Sequence, residues 1–104
     1  MSIITKQELQ RFAELGNQTE SDDPMVISKL RTYSGSCAWY LTSYNPETET
    51  LYGFVTGFSD DGEWEHITLE EVYEMQVKFQ RHPFLRGIRR DHTFKETRFS
   101  KLGL

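Results

Sequence analysis

The chain concentrates its cations near one end, in a segment that also carries phenylalanine. Eight of its twelve Lys and Arg lie in residues 78–104, interleaved with Phe84, Phe94 and Phe99. Cations neutralise the phosphates of a nucleic-acid backbone, while exposed rings can stack on unpaired bases. The segment therefore predicts a surface for nucleic acid or another charged partner, formed by Arg81, Arg86, Arg89, Arg90, Lys95 and Arg98.

The rest of the chain is acidic, which gives the same cations a second explanation. Residues 1–77 carry four Lys and Arg against fourteen Asp and Glu, whereas residues 78–104 carry eight against two. The net charges are −10 and +6, so the overall charge of −4 hides a dipolar sequence. Such asymmetry points to nucleic acid, a charged protein or a second copy as partner. In the alternative, the phenylalanines are core and the cations pair internally with the acidic strands.

A cluster of carboxylates surrounds one predicted hairpin. Asp60, Asp61, Glu63 and Glu65 could bind a divalent ion or present acid to a basic partner. Their spacing lacks the ligand order of an EF-hand, and a solvated turn explains them better. We therefore predict no metal site, and we keep these four residues as a candidate acidic partner-binding face.

No catalytic motif accompanies these charges. Cys37 is the single cysteine, so an intramolecular disulfide is impossible, and the three histidines lie in different predicted elements. In its aromatic strand, Cys37 is expected to be buried as a small hydrophobic side chain. The sequence favours a non-enzymatic protein without a cofactor. A small hydrolase or nuclease that lacks a recognisable motif stays open as an alternative.

Length and composition favour one compact unit. A chain of 104 residues fits a single domain, 1–104, and seven Phe, five Tyr and two Trp supply apolar area for its core. The N-terminus lacks the basic and apolar regions of a signal peptide, and no apolar run is long enough to span a membrane. We expect a soluble, cytoplasmic protein that does not act at a membrane.

Two helices are predicted from their first turns. Thr5 with Glu8, and Thr68 with Glu71, have the spacing of a capping box, in which side chain and backbone groups satisfy each other. Gly16 predicts the end of the first helix.

Strand-forming residues dominate between and after these helices. The predicted strands are residues 25–33, 37–44, 51–58, 64–67 and a closing strand within 88–99. Turns at Asn45-Pro46 and Asp61-Gly62 connect the central strands, and alternation places Trp39 with Leu41 in the core, where Phe54 is also expected. The order predicts an α+β domain with an antiparallel sheet of four to five strands and two flanking helices.

The central strands resemble a known family. AWYLTSYNPE at residues 38–47, LYGFV at 51–55, ITLEE at 67–71 and RRD at 89–91 follow one another. This order resembles the small bacterial, plasmid and phage proteins called domain of unknown function 2958. In that family a Trp-hydrophobic-Leu-Thr strand leads into an Asp/Asn-Pro-Glu turn and a Leu-aromatic-Gly strand. Arg89 stands where the family has Glu, and Glu65-His66 stands where it usually has a Gly-aromatic pair.

The resemblance spans roughly residues 38–91, and the N-terminal part is unlike the family's Leu-rich opening. It implies a soluble fold and a setting among phages or mobile elements, with no established activity. We therefore expect an interaction protein that binds a host or element macromolecule, foremost a protein, through a charged face, with an anti-defence or decoy role. Direct nucleic-acid binding by the basic segment is the alternative, and a homodimer is compatible with the sequence.

Overall fold

The described part of the protein contains two α-helices, a short 3₁₀ helix, a five-stranded sheet and a two-stranded sheet. The computed structural model describes residues 3–80 and 87–104, with side chains for all of these except residues 78–80. In chain order the elements are α1 (Lys6–Leu15), β1 (Met25–Val26), β2 (Ser28–Thr32), β3 (Ala38–Asn45), β4 (Thr50–Thr56), β5 (Glu63–Thr68), α2 (Leu69–Gln80), β6 (Ile88–Arg90), β7 (Thr97–Arg98) and a 3₁₀ helix (Phe99–Leu102). None of the described helices is long and apolar enough to cross a membrane.

The main sheet is antiparallel with the strand order β5-β4-β3-β2-β6, and β1 pairs with β7. The predicted α+β class is thus confirmed. α2 follows β5 at one edge and precedes β6 at the other, so the chain crosses the whole sheet between these two strands. The edge strand β6 therefore pairs with β2, which is far from it in the sequence, whereas the other edge strand, β5, forms a hairpin with β4.

Both predicted capping boxes form. The Glu8 backbone N–H donates to Thr5 Oγ1 at 3.1 Å, and the Thr5 N–H donates to Glu8 Oε1 at 2.9 Å. Thr68 and Glu71 repeat this exchange at the start of α2, at 3.1 and 3.2 Å. Gly16 ends α1 with a positive φ of 68°, as the sequence predicts.

Three of the predicted strands differ clearly from the structure. The strand predicted over residues 25–33 is divided into β1, which pairs with β7, and β2, which belongs to the main sheet. β4 ends at Thr56 because Gly57, with φ of 98°, turns the chain, and Phe58 lies beyond the strand. The closing strand expected within residues 88–99 is interrupted. β6 and β7 are separate, and between them the Phe94 N–H donates to the Asp91 carbonyl in a turn. This turn carries the chain out of the main sheet before it reaches β1.

One face of the main sheet, the helix face, packs against both helices. Leu30, Trp39 and Val55 are aligned across β2, β3 and β4, and they share a buried cluster with Phe12 of α1 and Val72 of α2. Trp39 is 3% exposed and Leu41 is 1% exposed, which confirms their predicted burial. The helix face holds the aliphatic part of the core.

The opposite face, here called the aromatic face, carries a second packed layer. Tyr40, Phe54 and Trp64 are aligned across β3, β4 and β5. Phe94 contacts Tyr40 with ring centroids 6.3 Å apart, and Phe99 contacts Phe54 and Trp64 at 5.1 and 4.8 Å. Phe54 is buried as predicted. Phe94 and Phe99 therefore pack against the sheet, as the alternative explanation of the basic segment expected.

Candidate nucleic-acid interface

The predicted basic residues that the structure describes do not all lie on one face of the sheet. Arg89 and Arg90 lie in β6, and since successive side chains of a strand point to opposite faces, they belong to different faces of the sheet. Lys95 is exposed between β6 and β7, and Arg98 ends β7. Arg81 and Arg86 lie outside the described residues, so their part in the prediction stays untested.

Arg90 is committed to an internal ion pair. It is paired across the strands with Leu30, which places it on the helix face. Its Nη2 donates to Glu8 Oε2 at 2.9 Å, and its Nη1 lies 3.2 Å from His92 Nδ1. Burial alone would raise the pKa of Glu8, but the hydrogen bonds from the Thr5 N–H and the Arg90 guanidinium hold it below its usual value. Arg90 therefore connects the edge strand to α1.

Arg98 has a structural contact as well. Its Nη1 donates to the Asp23 carbonyl oxygen at 3.2 Å. Asp23 in turn accepts hydrogen bonds from the Ser100 N–H and hydroxyl at 2.9 and 2.8 Å. These hydrogen bonds, together with nearby Arg98 and Lys101, lower the pKa of the Asp23 carboxyl. The group attaches the C-terminal end to the loop before β1.

Arg89 has a different environment on the aromatic face. It is paired directly across the strands with Arg31 of β2. The guanidinium carbon of Arg89 lies 5.2 Å from the centroid of the Tyr33 ring. Its Nε, like that of Arg90, is buried without a hydrogen-bond partner among the described residues. Among the described residues, no carboxylate forms an ion pair with Arg89. Two like charges thus face each other at the edge of the sheet.

One carboxylate lies beside this pair. Asp91 Oδ2 lies 3.6 Å from Lys29 Nζ and 3.7 Å from Arg31 Nε. Its Oδ1 accepts from the Thr93 hydroxyl at 2.6 Å and from the Thr93 N–H at 2.9 Å. The Thr93 hydrogen bonds and the two cations lower the pKa of Asp91, although its partial burial opposes them. Asp91 is therefore a fixed anion that positions Lys29 and Arg31.

Lys29, Arg31 and Arg89 with this carboxylate form what we call the β2–β6 cationic patch. Lys29 Nζ lies 5.1 Å from the centroid of the Tyr40 ring, so each end of the patch adjoins an aromatic ring. The sequence prediction missed Lys29 and Arg31 because they belong to the acidic part of the chain. Their alternation with the buried Ser28 and Leu30 was the available signal, since it places both cations on the polar side of a predicted strand.

The four predicted acidic residues lie at the other edge of the sheet. Glu63 and Glu65 are exposed on edge strand β5, and Asp60 and Asp61 are exposed in the turn before it. Burial and the adjacent Glu63 carboxyl raise the pKa of Glu65. Four strand spacings separate β5 from β6, which corresponds to about 19 Å. Within the described part of the chain, none of these four carboxylates pairs with a cation.

Metal coordination and a surface groove are the two other features that bear on function. Across residues 3–80 and 87–104, no three His, Cys, Asp or Glu side chains come together in a group that could hold a metal ion. A groove of about 960 Å³ lies between α1 and the β3–β4 hairpin. The described residues that line the groove include Phe12, Tyr44, Tyr52 and His66, but among them are no Lys, Arg, Asp or Glu and none of the predicted site residues.

Comparison with known proteins identifies one family. No curated protein and no solved structure gives a significant match to the chain. The family model described as "Protein of unknown function (DUF2958)" matches residues 3–101, beyond the central region on which the resemblance was based. Since the match covers almost the whole sequence, from before α1 to the 3₁₀ helix, the chain belongs to the DUF2958 family.

Proposed function

We propose that this chain is a non-enzymatic binding protein that engages nucleic acid through the β2–β6 cationic patch. The observation that carries the proposal is the direct cross-strand pairing of Arg31 with Arg89. Like charges placed opposite each other destabilise a sheet. A phosphate that contacts both guanidinium groups would remove this repulsion and form charge-assisted hydrogen bonds.

The charge balance of the patch supports an anionic ligand. Asp91 neutralises part of the charge of Lys29 and Arg31. Together with Arg89, the patch has three cations and one carboxylate, which leaves two positive charges. Asp91 is held by Thr93, so the cations beside it are positioned before a ligand arrives. Such positioning lowers the conformational entropy lost on binding. Lys95 is exposed in the segment that follows β6.

The experiment measures fluorescence anisotropy of a short labelled oligonucleotide over a range of salt concentrations. Arg89→Glu creates an opposite-charge pair with Arg31 and should weaken binding at least about tenfold, because it removes a phosphate-binding cation and adds a repulsive anion. The slope of log affinity against log salt should become shallower by about one for each phosphate that the variant no longer neutralises. The melting temperature of Arg89→Glu should not fall, since opposite charges across strands stabilise a sheet.

Lys6→Glu is the matched control. It makes the same change of net charge on α1, where Lys6 is exposed in the first turn. Its binding should stay within about twofold of the wild type, because only distant electrostatics change. Equal decreases in affinity for both variants, or no decrease for Arg89→Glu, would contradict the proposal.

A second candidate function uses the acidic edge. Glu63 and Glu65 are exposed on one face of the edge strand β5, and this arrangement supports a decoy that occupies the nucleic-acid site of a host or element protein. In this case the tagged chain retains a protein from nuclease-treated lysate, and added duplex DNA releases that protein by competition. A double variant, Glu63→Gln with Glu65→Gln, should lose the partner. Retention that survives both DNA and the double variant would overturn this candidate.

The cellular setting belongs to the same proposal. The resemblance to plasmid and phage proteins supports a role in a phage or mobile element, including an anti-defence role. The single cysteine, which is buried, is compatible with the cytoplasm. The two edges of the sheet carry opposite charges and are therefore complementary, so the proposal includes a homodimer.

A further inference from the structure

The aromatic ring beside the cationic patch bears on the form of its ligand. Tyr33 directly follows β2 and is 55% exposed. No other described ring packs against it, and its described aromatic contact is with the Arg89 guanidinium. Phe58, the other strongly exposed ring near this end of the sheet, instead packs against Trp39 with centroids 5.6 Å apart. Tyr33 therefore makes no comparable contribution to the core.

The turn that carries Tyr33 is held in place by several hydrogen bonds. The Tyr33 N–H donates to the Gly87 carbonyl at 3.3 Å, next to β6. Thr32 exchanges backbone hydrogen bonds across the turn, with the Cys37 carbonyl at 3.1 Å and the Gly35 N–H at 3.0 Å. The Cys37 N–H also donates to Thr32 Oγ1 at 3.2 Å. The exposed ring is thus presented from a defined backbone rather than from a free loop.

We infer that the β2–β6 cationic patch takes an unpaired nucleic-acid strand, with a base stacked on Tyr33 and an adjacent phosphate between Arg31 and Arg89. The inference rests on the proposed function. Arg89 contacts the ring and faces Arg31, so it joins the two parts of this site. One nucleotide supplies both the π-face and the phosphate that the site requires. A duplex supplies only the phosphates, because the faces of its bases are already stacked.

The experiment compares a labelled oligothymidylate with the same strand annealed to its complement. Wild-type protein should bind the single strand at least about fivefold more tightly than the duplex, and Tyr33→Ala should weaken single-strand binding by roughly 5- to 100-fold. Tyr33→Phe keeps the ring and should bind like the wild type. Phe58→Ala, which removes the exposed ring that packs against Trp39, serves as the matched control and should leave binding unchanged.

An abasic strand tests the role of the base without altering the protein. Wild-type and Tyr33→Ala protein should bind the abasic strand with equal affinity, since no base is present to stack on the ring. If Tyr33→Ala binds the oligothymidylate like the wild type, or if the duplex binds as tightly, the single-strand inference fails. In that event, weaker binding by Arg89→Glu still upholds the proposed function. If Arg89→Glu has no effect on either ligand, the proposed function itself fails, whatever Tyr33 does.

Discussion

Arg89 and Arg90 are neighbours in the chain, but they have opposite environments. Arg90 lies on the helix face and donates to Glu8 of α1 at 2.9 Å. Arg89 lies on the aromatic face, opposite Arg31, with its guanidinium above Tyr33. One arginine completes an ion pair of the fold, whereas the other adds a charge that the described residues leave unpaired.

The difference shows how a β-strand distributes consecutive basic residues between the two faces of a sheet. Side chains alternate between the faces of a sheet, so a charged pair in the sequence supplies one group to each side. Glu8 neutralises the charge on the helix face, where the surroundings are half-buried and an unpaired charge is costly. The aromatic face at this edge holds three cations, of which Lys29 and Arg31 lie beside Asp91 and Arg89 lies opposite Arg31. Structural and ligand-binding roles are thus separated within a single short strand.

The largest contrast between the two faces should come from their tryptophans. Trp39→Ala removes a 3% exposed side chain from the helix face and should lower the free energy of unfolding by about 3–5 kcal/mol. Trp64→Ala, on the aromatic face, removes a 37% exposed side chain and should cost clearly less. Urea denaturation of both variants checks this order. Equal destabilisation would mean that the aromatic layer is as important for folding as the helix face.

Urea denaturation should also show different effects on stability for Arg90 and Arg89. Arg90→Ala leaves Glu8 half-buried without its charged partner and should cost about 1.5–3 kcal/mol, the range for hydrogen bonds to charged groups. Arg89→Ala should change stability by no more than about 0.5 kcal/mol, because it breaks no described ion pair. Its effect should appear in oligonucleotide binding instead. If Arg89→Ala lowered the stability and Arg90→Ala weakened oligonucleotide binding instead, the structural and ligand-binding roles would be reversed.

The contribution of Arg90 to the stability of the fold should depend on pH. The folded protein holds the pKa of Glu8 below its ordinary value of 4.5, so ionised Glu8 contributes its full stabilisation to the fold above that pH. This stabilisation is lost as the pH falls through the folded pKa. The stability difference between wild type and Arg90→Ala should therefore be full at pH 7 and shrink below about pH 4. Other carboxylates titrate in both proteins, so denaturation curves for the pair isolate Glu8.

The smallest expected effect is at the acidic edge. Burial and Glu63 raise the pKa of Glu65, so the ionised carboxylate is less favourable in the folded than in the unfolded chain. Glu65→Gln should raise the melting temperature slightly at pH 7. The gain in melting temperature should vanish at a pH below the unfolded pKa of Glu65, because Glu65 is then protonated in both the folded and the unfolded wild type. A gain that persists in acid would point to packing rather than charge.

The sequence determined the features that depend on nearby residues. The capping boxes of Thr5 and Thr68 require groups three positions apart, so their spacing alone predicts both helix starts. Strand alternation likewise assigns Trp39 and Leu41 to one buried face. The loop after α1 is different, since its anchor was not visible in the sequence. Gln18 donates to the carbonyls of Met25 and Thr42 at 2.9 and 2.7 Å and fixes the loop to β3.

Only the tertiary structure decided which charges meet. Alternation separates Arg89 from Arg90 in any strand, but it cannot say which of them faces Glu8 and which faces Arg31. That choice follows from the pairing of β6 with β2, in which Leu30 is opposite Arg90. α2 carries the chain across the sheet to make this pairing, and the two strands are far apart in the sequence. Local patterns carry no information about such a distant register, because it is set by the packing of the whole domain.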